Sequence, residues 1–589
     1  MRPLPQTEAP VGADAPVYDV IVAGSGAGGL SAAVTAASAG LSVIVVEKED
    51  LLGGTTARSG GVLWVPGNRL SRESGIVDSA EQARTYLKHE AGNHFDPGRV
   101  DAFLENGPKM VDFMESKTDV RFVSVPEFSD YHPDAPGALS GGRSIVAAPY
   151  DAGRLGKDIS SLRPPLREIT FVGMMFNASK EVSHFFNVTR SPKSAVYVAK
   201  RLLEHSWEMI RYGRAQRLTN GNALAARLIR SALDSGVELW RSTAALRVLA
   251  DEGKVCGLEV VRDGKTVQLR ARYGVVLATG GFPQDRDLRR RLFPHAPTGS
   301  EHWSPAPPGN VGDGWRMAEA AGGSTDGTLP NSAAWIPVSL VPRRDGSTGT
   351  FPHLLDRYKP GIVAVNSDGR RFVNEANSYH DFGQAMQQDC RNKEETAAWL
   401  VCDHRALRRY GLGFAKPFPI PVLPHLQSGY LLKGSSLREL ASKAGIDPDG
   451  LEAAISAYNG PAARGEDPEF GKGATAYNRF LGDATHKPNP CVAPLTRGPF
   501  YAVKLVLGDL GTFAGIRTDE RARVLDGEGR RIPGLYAVGN DALSVMGGSY
   551  PGGGITIGPA MTFGFIAGRD MAAAARENSE NVQMNGESE

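Results

Sequence analysis

The sequence predicts an α/β fold: a Rossmann-type dinucleotide-binding domain, split in sequence, with an inserted α+β capping domain. Two observations predict it. Near the start, the β-branched run Tyr18-Asp19-Val20-Ile21-Val22-Ala23 leads into Gly24-Ser25-Gly26-Ala27-Gly28-Gly29. Far downstream, two more apolar runs end in small residues, Val275-Val276-Leu277-Ala278-Thr279-Gly280-Gly281 and Leu535-Tyr536-Ala537-Val538-Gly539-Asn540. A chain of 589 residues is also too long for one ordinary core, so a second domain is expected between these segments.

Residues 18–23 form a short buried strand, 30–40 a small-residue helix and 42–46 the next strand, which ends at Glu47. In that context Gly24 makes the tight turn, Gly26 admits a pyrophosphate and Gly29 lets helix and strand approach. Ser25, Ala27 and Gly28 complete the turn, while Glu47, followed by Lys48, accepts the ribose hydroxyls. A second glycine-rich loop comes directly after, Gly53-Gly54-Thr55-Thr56-Ala57-Arg58-Ser59-Gly60-Gly61. Residues 151–215 read as an insertion. Leu162-Arg163-Pro164-Pro165-Leu166 breaks the chain, and 193–212 carries apolar residues at helical spacing. Packing against its own domain is the first expectation for that apolar face, ahead of a lid, a dimer contact or a membrane-surface foot.

A helix over 220–235 and a strand–turn–strand over 237–260 precede the 275–282 strand. Gly312-Asp313-Gly314 marks entry into the second domain, and Arg497-Gly498-Pro499-Phe500-Tyr501 is expected to return the chain to the first. The division is then 17–300 and 491–575 for the dinucleotide domain, 301–490 for the capping domain, and flexible tails at 1–16 and 576–589. Near the end, Tyr550-Pro551-Gly552-Gly553-Gly554-Ile555 runs into a helix start, which aims backbone N–H groups at a ligand from the positive end of a helix.

Charge narrows the partners. Sixty-six basic residues nearly cancel 65 acidic ones, which argues against nucleic acid or an anionic membrane as the main partner. Cys256, Cys390, Cys402 and Cys491 lie far apart, the histidines do not cluster, and no metal site is expected. No apolar run approaches the roughly 18 residues of a membrane span, so a cytoplasmic enzyme is expected.

The second glycine-rich loop and the two downstream strand–glycine segments resemble the FAD-binding half of the fumarate reductase/3-ketosteroid dehydrogenase superfamily. The resemblance implies FAD, with Gly54, Thr55, Thr56, Ser59, Gly60 and Gly61 running under the isoalloxazine. It also puts Ala278, Thr279, Gly280, Gly281, Gly539, Asn540, Gly554 and Ile555 at the cofactor. Residues 50–61 contain no histidine, so a non-covalent flavin is expected. The dicarboxylate reductases of the superfamily carry an arginine in Arg-Phe-Val-Asn-Glu-x-x-x-Arg-Asp where this chain has Tyr379, and another in Asn-Arg-Leu-Gly-Gly where it has Tyr550. Without those cations a dicarboxylate would be left poorly paired, at several kcal/mol per buried charge.

The same positions are similar to the 3-ketosteroid Δ1-dehydrogenases, which carry Tyr-Pro-Gly-x-Gly, a tyrosine after the Asn-Glu pair and an upstream tyrosine near Gly-Arg-Ser. That resemblance implies that Tyr550 and Gly554 grip a ketone oxygen, that Tyr379 takes the α proton and that Tyr131 stands behind it. The expected reaction is desaturation of a cyclic ketone, a 3-ketosteroid or a smaller ring, with hydride passing to flavin N5. An external acceptor (quinone, oxygen or a redox protein) would remove the electrons. Two other readings stay open: an ene-reductase acting on a neutral enone, and a non-catalytic flavoprotein that binds a partner through 151–215.

Overall fold

The computed structural model describes residues 12, 14–176, 181, 184, 185 and 187–586, with side chains up to 580. The first sheet is built from β1 (Val17–Ala23), followed by helix α1 (Ala27–Ser38) and β2 (Val43–Val46). Helices α2 (Ala80–Ala91) and α3 (Pro97–Lys117) pack beneath, and α4 (Pro192–Tyr212) and α5 (Asn220–Asp234) follow. The sheet continues with β3 (Glu238–Trp240), β4 (Thr243–Asp251), β5 (Lys254–Arg262) and β6 (Lys265–Leu277).

A second, antiparallel sheet takes β7 (Ala333–Pro342), β8 (Thr348–Pro352) and β9 (Ile362–Val365) before helix α6 (Tyr379–Asp389), then β10 (Ala397–Asp403), β11 (Leu432–Gly434) and the long β12 (Phe500–Thr512). Among the described residues, β13 (Arg523–Leu525) and β14 (Arg531–Ala537) are the strands that return to the first sheet, and α7 (Ile557–Gly586) follows them.

The first sheet runs β13-β14-β6-β1-β2-β3, with β5 on β6 and β4 on β5. Its core strands are parallel and in step: Ala23 pairs with Val46 and with Leu277, and Leu277 pairs with Ala537. Chain segments beginning at Gly24, Glu47, Ala278 and Val538 therefore leave one edge of the sheet together. In open parallel sheets that carboxyl edge is where ligands bind. Small residues let α1 and α7 press together across it. A Cβ at Gly564 would sit 2.4 Å from the Gly28 carbonyl oxygen, so only glycine allows this spacing.

Three expectations meet a different structure. The segment 497–501 leads into β12 of the second sheet, so the return to the first sheet comes at β13, later than the expected residue 491. β12 stays because it is a near-continuous apolar run, buried along almost its whole length and paired on both sides, with β7 and with β10. The C-terminal segment expected to be a flexible tail from 576 is helical to Gly586, while 587–589 and most of 1–16 lie outside the described residues.

The third difference is α4, which turns inside out. Ser194, Arg201 and His205 are buried, whereas Val196, Leu203, Trp207 and Ile210 stand 71%, 73%, 64% and 81% exposed. Its inner face is held by polar bonds, such as His205 Nε2 to the Val172 carbonyl at 2.9 Å. Among the described residues no helix is long and apolar enough to cross a membrane.

Candidate active site

A groove of about 1040 Å³ follows the carboxyl edge of the first sheet. Gly24, Ser25, Gly26, Ala27, Gly28 and Gly29 form its floor at the start of α1, with Glu47 and Lys48 on one wall. Gly54, Thr55, Thr56 and Ser59 form the roof, and Ala278, Thr279, Gly280, Gly539 and Asn540 the far wall. Hydrogen bonds set this shape. Thr56 Oγ1 accepts from the Ala27 N–H at 3.0 Å, and Ser25 Oγ accepts from the Gly53 N–H at 3.0 Å. Ser25 in turn donates to Glu47 Oε2 through its N–H at 3.1 Å and its hydroxyl at 2.6 Å, which orients the carboxylate.

The cradle fits a dinucleotide. A Cβ at Gly26 would meet no protein atom closer than Thr56 Oγ1 at 3.9 Å, so a side chain there would fill the groove itself. Gly24 has φ +113°, and a Cβ on it would lie 2.1 Å from the Ala278 carbonyl oxygen. The wall at 279–281 is fixed by Asp541, which accepts from the Thr279 and Gly281 N–H groups. Burial pushes that carboxyl up to about 6 despite these bonds.

Gly60, Gly61, Gly281 and Gly554 lie outside the groove's lining, and Ile555 lines the smaller pocket that branches from it. Gly61 backs onto Asn220, Gly281 onto Thr512, and Gly554 onto Val62 and Leu63. Sequence reasoning missed Glu49, Arg163, Gly309, Asn310 and Asp313, which all line it. Glu49 joins three parts of the chain, with Oε2 paired to Arg163 Nη2 at 2.5 Å and Oε1 accepting from the Gly309 N–H at 2.8 Å. Lys48 pairs with Asp313 at 2.6 Å. The glycine run at 309–314 and the Pro-Pro break beside Arg163 were the available signals.

Past the end of the groove the three expected tyrosines converge from separate segments. Tyr131 donates its hydroxyl to that of Tyr379 at 3.0 Å. Its ring lies parallel to that of Tyr550 at 5.5 Å, and the Tyr379 ring meets Tyr550 edge-on at 5.0 Å. Tyr379 and Thr556 both act on the Tyr550 hydroxyl, and the Tyr131 N–H donates to the Pro551 carbonyl at 2.9 Å. Gly554 has φ +100°, and no hydrogen bond among the described residues uses its N–H.

Tyrosines 477 and 358, which sequence reasoning missed, extend the cluster. The Tyr477 ring is 4.5 Å from that of Tyr131, its hydroxyl is 2.7 Å from that of Tyr358, and Arg357 Nη2 donates to Tyr358 at 3.2 Å. Burial pushes the Tyr131, Tyr379 and Tyr477 phenols well above their ordinary range and Tyr550 up to about 12. Arg371, by contrast, is turned away into an ion network with Glu375 at 2.9 Å and Asp467 at 2.7 Å.

His132 was also missed. It follows Tyr131 and bridges to α6 two residues beyond Tyr379, with Nδ1 on Glu90 at 2.8 Å and Nε2 on Asp381 at 3.0 Å. Burial alone would lower its pKa, but the bonds to Asp381 and Glu90 win and raise it from 6.5 to about 10. The stabilisation it gives is therefore complete below about 6.5 and lost as pH rises through about 10. Thermal unfolding of the wild type should weaken between neutral pH and 10 relative to His132→Gln, so that the two melting curves approach each other. Parallel pH profiles would show that the bridge carries no such stability.

A nucleotide cradle with a phenol cluster at its end defines a flavin-dependent oxidoreductase. The chain belongs to the FAD binding domain family, whose sequence profile matches residues 19–557. It is 45% identical over 567 residues, 96% of this chain and 95% of the relative, to the 4-oxocyclohex-2-ene-1-carboxylate 5-dehydrogenase of Sinomonas cyclohexanicum. It is 37% identical over 569 residues to the 3-oxosteroid 1-dehydrogenase of Mycolicibacterium smegmatis, covering 95% of this chain and 98% of that one. Among solved structures, the 3-ketosteroid Δ1-dehydrogenase of Sterolibacterium denitrificans in complex with 1,4-androstadiene-3,17-dione superimposes with a TM-score of 0.88 at 37% identity, covering 95% of this chain and all of the other. The cofactor is FAD.

Proposed function

We propose that this protein desaturates a cyclic ketone beside its carbonyl, a 3-ketosteroid or a single-ring oxo acid of the kind its relatives' names describe. The observation that carries this reading is the contact of Tyr131, Tyr379 and Tyr550 past the end of the cofactor groove, next to an uncommitted Gly554 N–H. The Tyr550 hydroxyl and the Gly554 N–H hold the ketone oxygen and stabilise the enolate that forms there, helped by the positive end of α7. Bound FAD, held without a covalent bond, supplies the hydride acceptor.

Tyr379 takes the α proton. Burial makes a resting phenolate unfavourable, so Tyr379 must release its own proton as it gains the new one. At rest Tyr131 donates to Tyr379 at 3.0 Å, so it receives that proton only as it gives up its own, and the Arg357 cation beyond Tyr477 and Tyr358, which accepts no proton, favours the negative charge this leaves on the line of phenols. The tyrosines at 379 and 550 favour an uncharged ketone over a diacid, because they bring no cation to balance a second carboxylate.

Anaerobic titration of the yellow holoenzyme tests the reading. A 3-ketosteroid or 4-oxocyclohexanecarboxylate should bleach the oxidised flavin band, and succinate should leave it unchanged. Bleaching by succinate alone would overturn the proposal. Return of the yellow band when an enone is added to the pre-reduced enzyme, with no bleaching by any saturated ketone, would reassign the physiological direction.

A further inference from the structure

A second, smaller pocket branches from the cofactor groove beside the start of α7. The two share Gly539, Asn540, Thr556 and Ala560, and the branch is also lined by Phe513, whose ring lies 6.1 Å from that of Tyr550. Its polar lining comes from Arg99, Thr512, Asn540, Ser544 and Thr556. Arg99 stands in the first turn of α3 and is only 4% exposed. Nη2 donates to the Leu543 carbonyl at 2.5 Å, and the Phe563 ring lies 5.4 Å away. Nε is buried without a partner, and among the described residues no carboxylate comes within ion-pair distance. Asp96 and Asp519 act on it only through space. A buried cation left this way costs free energy unless a ligand completes its surroundings.

We propose that Arg99 is a flavin-tuning residue: the pyrimidine edge of the bound isoalloxazine enters this branch, and the guanidinium offsets the negative charge that gathers there on reduction. The ribose end of the cofactor is set by Glu47 and the reacting end by the phenols, so the ring system must lie beside the branch. Of its two edges, the dimethylbenzene edge would leave the Arg99 Nε unpaired, whereas Thr512 already donates to the Asn540 carbonyl at 3.0 Å and Ser544 accepts from the Met546 N–H at 3.2 Å. The pyrimidine edge carries two carbonyl acceptors and one N–H donor. When hydride arrives at N5 and the α proton goes to Tyr379, the ring gains one hydrogen and one negative charge. That charge is spread over N1 and the C2 carbonyl, where a nearby cation lowers its energy. The inference depends on the FAD cofactor and not on which ketone is the substrate.

The test uses substrate-free holoenzyme, so it stands apart from the desaturase reading. Arg99→Met should bind sulfite at the flavin roughly tenfold more weakly or worse, and its two-electron midpoint potential should fall in step. Arg99→Lys, which keeps the charge, should stay within about threefold of wild type. If Arg99→Met does not retain FAD, the wild type decides the question alone. Its bound flavin should lose the N3 proton at lower pH than free FAD, seen in the absorption spectrum. Unchanged sulfite affinity and potential in Arg99→Met would overturn the proposal, as would an unshifted N3 titration. A rise in KM for 4-oxocyclohexanecarboxylate with both flavin readouts unchanged would also overturn it, and would make Arg99 an anchor for the substrate carboxylate.

Discussion

Tyr379→Phe should reduce turnover by about 10²–10⁴-fold while the holoenzyme stays yellow. The change deletes the hydroxyl that accepts from Tyr131 at 3.0 Å and leaves the ring where it packs, edge-on to Tyr550. The cofactor groove lies beyond this contact and does not include Tyr379, so FAD affinity should hold. Stability should drop by only about 1–2 kcal/mol, for one orphaned buried phenol. Turnover can be paired with deuterium exchange at the substrate α carbon in heavy water. If Tyr379 removes that proton, exchange and turnover fall together. Turnover within a few-fold of wild type would remove the residue from its role, whatever the fate of Tyr550.

Gly24→Ala should yield protein that cannot hold FAD. Alanine would have to adopt φ +113° and place its Cβ 2.1 Å from the Ala278 carbonyl oxygen. That oxygen is backbone and cannot rotate aside. Ala278 is tied to β1 through its N–H on the Ala23 carbonyl at 2.8 Å, so relief must come from opening the edge that forms the groove floor. Purified variant protein should be colourless, with an absorbance ratio at 450 to 280 nm near zero and little thermal shift on adding FAD. A yellow variant with normal FAD affinity would show that the β1–β6 edge is far softer than its hydrogen bonding implies.

Most of the cofactor domain was legible because its signals are local. A strand, a glycine turn and a helix in succession constrain the backbone directly, and β1, α1, β2 and β6 appear where the sequence put them. The return point of the chain was not legible, since whether an apolar strand joins one sheet or another depends on partners hundreds of residues away. Strand β12 pairs with β7 and β10, and nothing within 497–512 names either.

The same division runs through the site. Tyr131, Tyr379 and Tyr550 were found because each sits in a pattern of neighbours shared with related chains. Tyr358, Tyr477, Arg357 and His132 carry no such pattern. They matter through three-dimensional contact alone, as in the 2.7 Å approach of Tyr477 to Tyr358 across 119 positions of sequence. The α4 face was misread for a related reason. Helical periodicity reports that apolar residues share a side, but not that the side points inward.

The 151–215 segment looks like an accessory that could be trimmed to shorten the enzyme, and the Glu49–Arg163 pair says where the scissors must stop. Arg163 walls the cofactor groove, its carbonyl is gripped by the Asn222 amide at 2.7 Å, and the neighbouring Leu162 bridges to Leu52. A truncation sparing residues up to 163 should leave a loadable flavoprotein. One that begins at 151 would remove a side of the container along with the ornament.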